Sequence, residues 1–191
     1  MRKLIAGMKI SVDDKFGGPD GYADWVHAWS DDYDLTGHVD ACLLGAGMYP
    51  GYEEYWTAVL NEPEAPLPMT GTLPTPAEVD YARFAAETPH YVLSSTLTSA
   101  AWPRTTFVRG LDEIAALKRQ PGKDIYLVGG GRTTASLLEA GLVDELRLIV
   151  HPLIAGEGQA LLATMERRRE LELRAVRQLQ GGRVSLAYGI A

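Results

Sequence analysis

Apolar positions alternate at the start of the chain. Leu4, Ala6, Met8, Ile10 and Val12 fall on one face at period two, which predicts a strand over residues 3–12. Asp13-Asp14-Lys15-Phe16-Gly17-Gly18-Pro19 breaks it. Tyr22, Trp25, Val26 and Trp29 then recur at three- and four-residue spacing, predicting a helix over 21–34 packed on a sheet. Val39-Asp40-Ala41-Cys42-Leu43-Leu44 is nearly all apolar at its end, the mark of a strand covered on both faces, and Gly45-Ala46-Gly47 ends it. A helix is expected at about 51–60. A Pro-rich loop from Glu62 to Pro76 follows, and Thr75-Pro76-Ala77-Glu78 has the form of a capping box that opens a helix over 76–87.

The second half alternates strand and helix. Strands are expected at 90–93, 105–108 and 124–128, with a helix over 111–119 between the last two. Gly129-Gly130-Gly131 turns the chain into a helix from Thr133 to Ala140 that Gly141 closes. Strands at 143–154, 170–178 and 183–190 complete a chain of roughly seven or eight strands and four or five helices, an α/β class.

At 191 residues, with 46% apolar and 23% charged positions, the chain can bury one substantial core without disulfides or metal. A net charge of −7 with no basic stripe among aromatics argues against nucleic acid, and Arg167-Arg168-Arg169 lies between Glu166 and Glu170 as a solvated, ion-paired surface. The single Cys42 excludes an internal disulfide and reads as a small buried apolar residue. His27, His38, His90 and His151 have no metal-ligand spacing, and no stretch is long and apolar enough for a membrane span. A cytoplasmic location is expected.

The glycine triplet carries the chemistry. Between a buried strand and a helix it offers bare N–H groups at a helix N-terminus, where partial positive charge favours phosphate. Taken alone it is equally a tight turn with no ligand. A Rossmann reading fails, because Thr134 stands where a third glycine belongs and the turn follows a late strand.

Ile125 to Arg132, a helix, and then Val143-Asp144-Glu145-Leu146-Arg147-Leu148 resemble the cofactor turn and following strand of the dihydrofolate reductase superfamily. His151-Pro152-Leu153-Ile154-Ala155-Gly156 is similar to its riboflavin-biosynthesis reductase branch, the RibD C-terminal domain. Ser11-Val12-Asp13, Leu44-Gly45-Ala46-Gly47 and Leu93-Ser94-Ser95-Thr96 agree in order along nearly the whole chain. The resemblance implies a single dihydrofolate-reductase-like domain over 1–191: a central, mixed and mainly parallel sheet of about eight strands with helices on both faces. It implies NADPH, with NADH as the other candidate. The pyrophosphate would lie between Val128-Gly129-Gly130-Gly131-Arg132-Thr133 and Gly45-Ala46-Gly47-Met48, the nicotinamide carboxamide at the Ala6 backbone, and the adenosine phosphate near Ser94, Ser95 and Thr96. Three departures bear on specificity: Ala46 stands where folate reductases carry an arginine, Ile149 where they carry a threonine, and Val128 where the riboflavin branch carries an acid.

Hydride reduction needs a proton donor. Asp24, beside Trp25, is the first candidate and Asp13 the second; each is also an ordinary helix-cap or turn aspartate. Trp25, Tyr49, Tyr52 and Trp56 form either an aromatic wall for a flat heterocycle or part of the core. The expected function is NADPH-dependent reduction of a small pterin- or pyrimidine-like molecule. Alternatives are the 5-amino-6-(5-phosphoribosylamino)uracil reductase step and a nucleotide-binding module without catalysis. By the same resemblance a homodimer is expected.

Overall fold

The computed structural model describes residues 1–26, 33–67 and 71–191. The first strand, β1, runs Leu4–Ser11 and is buried throughout. β2 (Lys15–Gly17), β3 (Val39–Gly45) and helix α1 (Tyr49–Asn61) follow, then α2 (Pro76–Glu87), β4 (His90–Leu93), β5 (Thr105–Val108) and α3 (Leu111–Arg119). The remainder is β6 (Asp124–Val128), α4 (Gly131–Glu139), β7 (Glu145–His151), β8 (Gln159–Ala160), β9 (Leu171–Gln178) and β10 (Val184–Ile190). Eight strands form one sheet in the order β5-β4-β3-β6-β1-β7-β10-β9, parallel from β5 through β7 and antiparallel at β10 and β9. This is the dihydrofolate-reductase-like α/β architecture expected from the sequence.

The helices divide between the faces by side-chain alternation. Ile5, Cys42, Leu44 and Val128 meet α1 and α2 in an aromatic-rich core. Leu4, Ala6, Leu43, Ile125 and Leu127 meet Ile114 and Leu117 of α3 and Leu137 and Leu138 of α4 on the other face. The α2 boundaries follow from local chemistry. Thr75 Oγ1 accepts the Glu78 N–H and Glu78 Oε2 accepts the Thr75 N–H at 2.9 Å, a reciprocal box with Pro76 entering the first turn. Thr75→Ala is expected to cost about 1 kcal/mol, read as a fall of about 2–4 °C in the midpoint of thermal unfolding.

Two differences from the sequence reading concern the edge where the strands end. The helix expected over 21–34 does not form in its described part. Residues 24 and 25 make a turn, and 27–32, including Trp29, lie outside the described residues. The segments flanking β1 and β7 instead pair as a short ribbon, Lys15 with Ala160 and Gly17 with Gln159. No helix among the described residues is long and apolar enough to cross a membrane.

Candidate active site

β3 and β6 are adjacent and parallel, so their C-terminal turns lie side by side. Both turns are built from glycine because they touch. A side-chain carbon at Gly45 would overlap Thr133 Oγ1 and stand 3.2 Å from Thr133 Cβ. Gly129 has φ +54° and Gly130 φ +85°, in the left-handed region that glycine adopts without cost. A carbon on Gly129 would sit 3.3 Å from the Met48 side chain. Gly131 is closed in from another side, since a carbon there would lie 2.6 Å from the Leu161 carbonyl and 2.8 Å from the Phe16 ring. The β2–β8 ribbon therefore packs directly against the start of α4.

Each turn leads into a helix that begins without a side-chain cap, α1 after Met48 and α4 after Gly130. Two helix N-termini thus open at one edge, where their partial positive charges add. Both turns, with no side-chain cap on the helix that follows, stand at the carboxyl ends of parallel strands, the place where open α/β sheets take their ligands. Thr133 is half-buried between the turns, Arg132 is exposed beside them, and Val128 points into the core. Ala46 donates its N–H to the Leu93 carbonyl at 3.1 Å and fixes the first turn against β4.

β6 stops opposite Gly7, but β1 continues to Ser11 along β7. The Lys3 carbonyl accepts from Ile125 of β6, whereas the Leu4 carbonyl accepts from Asp144 at the β7 side. Odd-numbered residues of β1 therefore turn their backbone groups toward β6 and even-numbered ones toward β7. This corrects the expectation for Ala6, whose polar groups face Leu146 inside the ladder. Gly7 and Lys9, being odd-numbered, turn their backbone groups to the β6 side, Gly7 opposite Val128 and Lys9 past the last paired residue of β6. Gly7 is required there, because a carbon on it would lie 2.8 Å from the Tyr126 ring.

At the end of β4, Ser94 is buried and its Oγ accepts the N–H groups of Thr96 (3.2 Å) and Leu97 (2.8 Å). It builds the turn, and this corrects its expected role as a phosphate contact. Ser95 and Thr96 remain exposed. The sequence reading missed Arg109, at the end of neighbouring β5. Its Nη1 donates to the Ser94 carbonyl at 2.6 Å, and its guanidinium lies 5.6 Å from the Phe107 ring centroid. It brings to this turn a cation that Ala46 does not supply.

A groove of about 640 Å³ opens farther along the same edge, beyond β1 and β7. Gly18, Pro19, Asp20, Tyr22, Asp24 and Trp25 form one wall, and Leu153, Ile154, Ala155 and Glu157 the other. Trp25 lines it, with its ring N–H unpartnered among the described residues. Asp24 stands exposed at the rim. Asp13 is occupied: its carboxylate accepts the Ser11 hydroxyl (2.7 Å) and the N–H groups of Ala155 (2.9 Å) and Gly156 (2.8 Å). The Ser11 hydrogen bond, with those from the two amides, holds its pKa down to about 2. A carboxyl so held stays ionised and ties two loops together, which removes Asp13 as a proton donor. Tyr49 and Trp56 are also corrected. Tyr49 is 1% exposed, its hydroxyl 2.6 Å from both Glu53 and Thr105, and Trp56 is 4% exposed, packed edge-on against Tyr52 and Tyr55 and tilted against Tyr81. Both belong to the core, leaving Trp25 at the groove. The described residues contain no cluster of His, Cys, Asp or Glu that could hold a metal ion.

The fold and the paired turns define a dihydrofolate-reductase-like domain, and comparison with known proteins narrows it. The chain matches the RibD C-terminal domain family over residues 2–185 and belongs to that family. It is 27% identical over 191 residues to the uncharacterized protein YyaP of Bacillus subtilis, covering 98% of this chain and 94% of that one. Among solved structures, a putative riboflavin biosynthesis protein from Shewanella sp. PV-4 superposes with a TM-score of 0.72 at 18% identity, covering 99% of each chain. Dihydrofolate reductase from Enterococcus faecalis, complexed with NADP(H), superposes at 0.59 with 16% identity over 98% of this chain and 96% of that one.

Proposed function

We propose that the chain is an NADPH-dependent reductase of a small, unphosphorylated heterocycle. The observation that carries this is the contact between the Gly45 turn and the Gly129–Thr133 turn, each opening an uncapped helix at one edge. Gly45, Gly47 and Met48 with Gly129, Gly130, Gly131, Arg132 and Thr133 hold the pyrophosphate, and the Gly7 and Lys9 backbone meets the carboxamide. Arg109 with Ser95 and Thr96 takes the adenosine phosphate, which favours NADPH over NADH. The bound nicotinamide supplies hydride. Asp24, at the groove rim, delivers the proton directly or through a water.

The groove argues for substrate class by charge. Asp20, Asp24 and Glu157 line it, and no Lys, Arg or His does so among the described residues. A phosphate group would enter an uncompensated negative field, whereas a neutral or cationic ring is tolerated. This weighs against the phosphoribosyl pyrimidine of riboflavin synthesis. Equilibrium titration with NADPH and NADH, followed by nicotinamide oxidation over a panel of pterins, pyrimidines, flavins and quinones, tests the reading. Binding of neither nucleotide at millimolar concentration overturns it. Asp24→Asn is expected to cut turnover at least about tenfold with NADPH affinity unchanged; undiminished turnover removes Asp24 as the donor. The exposure of Asp24 favours one competing reading, a nucleotide-binding module without catalysis, which NADPH binding without oxidation across the panel would establish.

A further inference from the structure

The groove beyond β1 and β7 combines apolar surface with carboxylates that nothing neutralises. Asp20 and Asp24 come from its first wall and Glu157 from its second. None of the three is in an ion pair among the described residues. Asp20 keeps one oxygen on the Tyr22 N–H at 3.1 Å. The negative field reaches the lining: loss of solvent, and then the Asp24 carboxylate, raise the pKa of the Tyr22 phenol. Around the carboxylates the surface is apolar, with the Trp25 ring, Leu153, and Ile154, which is 78% exposed.

The second wall is tied down on both sides of Glu157. Just before it, Asp13 accepts the N–H groups of Ala155 and Gly156 at 2.9 and 2.8 Å. Just after it, Gly158 has φ +136° and lies so close to the ribbon that a side-chain carbon there would overlap the Gly17 carbonyl oxygen. Gly17 ends β2, and Gly18 opens the first wall by donating its N–H to the Tyr22 carbonyl at 2.7 Å. Contacts within the fold thus hold like charges on the two sides of one groove. Such charges repel, and a cation between them relieves the repulsion.

We infer that the groove selects a flat ring carrying a positive charge, on a quaternary or protonated ring nitrogen, with the ring face on Trp25 and the charge between Asp20 and Glu157. An aromatic face flanked by carboxylates is the chemistry that recognises organic cations. A neutral ring gains the apolar contact alone, and an anionic ring is repelled from both walls. Glu157 is the specificity-determining residue, because it is the one carboxylate that the second wall supplies. The inference rests on the reductase reading only in taking the groove as the substrate's, and it narrows that substrate from an unphosphorylated ring to a cationic one. Asp24 keeps its place at the rim as the proton donor.

Isothermal titration of the full chain with three flat bicyclic probes tests it: N-methylquinolinium, neutral N-methylquinolin-2-one and anionic quinoline-4-carboxylate. The cation is expected to bind at least about tenfold more tightly than the neutral probe at low salt, the difference shrinking as salt is added, and the anion to bind weakest. Glu157→Gln is expected to reduce the preference for the cation about threefold and Glu157→Lys to abolish it. Position 157 is exposed, and far-UV spectra check that both variants keep the fold. Equal binding of the cation and the neutral probe overturns the inference. So does a preference that neither Glu157→Lys nor Asp20→Asn changes, since the cation then sits elsewhere on an acidic surface. A parallel NADPH titration separates the two readings. Cofactor binding without a preference for the cation overturns the substrate class alone, whereas a Glu157-dependent preference without cofactor binding upholds the cation site and overturns the reductase.

Discussion

Gly45→Val is expected to weaken NADPH binding at least about a hundredfold, a loss of about 2.7 kcal/mol. The new side chain has nowhere to go. Gly45 is the last residue of β3, paired with Leu93 on β4, and the space beside it is filled by Thr133 of α4. Thr133 cannot rotate clear of the branched side chain, because its Cβ is itself 3.2 Å from the first added carbon. The start of α4 must move off β3, and the two N–H-bearing turns then no longer face one phosphate group. Overpacking of this kind costs about 1–3 kcal/mol in stability as well, so binding is measured by titration under conditions where urea unfolding shows the variant fully folded. Gly51→Ala is the control. It lies on α1, a carbon there meets nothing within 4 Å, and the change is expected to leave binding intact while raising stability by about 0.5–1 kcal/mol. A Gly45→Val protein that binds NADPH as well as the parent would show that the paired turns are not the cofactor cradle.

Which parts of this site could be read from the chain depended on whether the cause was local. The capping box of α2 is satisfied within four residues, so its start is visible in Thr75-Pro76-Ala77-Glu78. The glycines at 129–131 are needed wherever backbone comes close, and their pattern could be read before the strand order was known. The phase of β1 could not. Whether Ala6 or Gly7 offers its backbone at the open edge depends on β6 lying on one side and β7 on the other, with β6 stopping first. The pairing of Lys15–Gly17 with residues near 160 is likewise non-local, and strands of three and two residues leave no periodicity to detect. Arg109 reaches the Ser94 turn only because β5 lies beside β4. Tyr49 and Trp56 look like a binding wall in sequence, since aromatic residues serve core and pocket equally well; the packing of α1 under α2 decides for the core. Leu171, Leu173 and Val176 of β9 follow the same rule, because they share a face only through the register shift at Ala187 and Tyr188 that leaves Arg174 as an extra residue.

Stability is expected to fall by about 3 kcal/mol as the pH is lowered from about 6.5 to 4, through His90 alone. His90, on β4, is 1% exposed, with Tyr52 and Trp102 ring centroids 5.6 and 4.9 Å away and Tyr49 at 6.1 Å. Its Nδ1 is 2.8 Å from the Thr88 carbonyl, so Nδ1 carries the proton, and Nε2 has no partner among the described residues. A second proton on Nε2 would place a cation in that aromatic cage. Burial therefore pushes the imidazole pKa down from 6.5 to about 4, against the Thr88 hydrogen bond and the Glu53 carboxylate, which both favour the charged form. The unfolded chain takes up a proton near pH 6.5 and the folded chain does not until about 4, so protons are bound preferentially by the unfolded state across that window. The contribution is fully present above it and lost as the pH falls. Glu53 and Asp13 act in the same direction but lower. Burial raises the Glu53 pKa, yet its hydrogen bonds from Tyr49, Trp102 and Ala101 outweigh this and hold it below 4.5, and Asp13 is held near 2. Comparing urea midpoints at pH 7 and pH 5 isolates His90. His90→Leu, which cannot titrate, is expected to lose some stability at pH 7 through the missing Thr88 contact, and to lose most of the difference between the two pH values. An equal difference in parent and variant would place the acid sensitivity elsewhere.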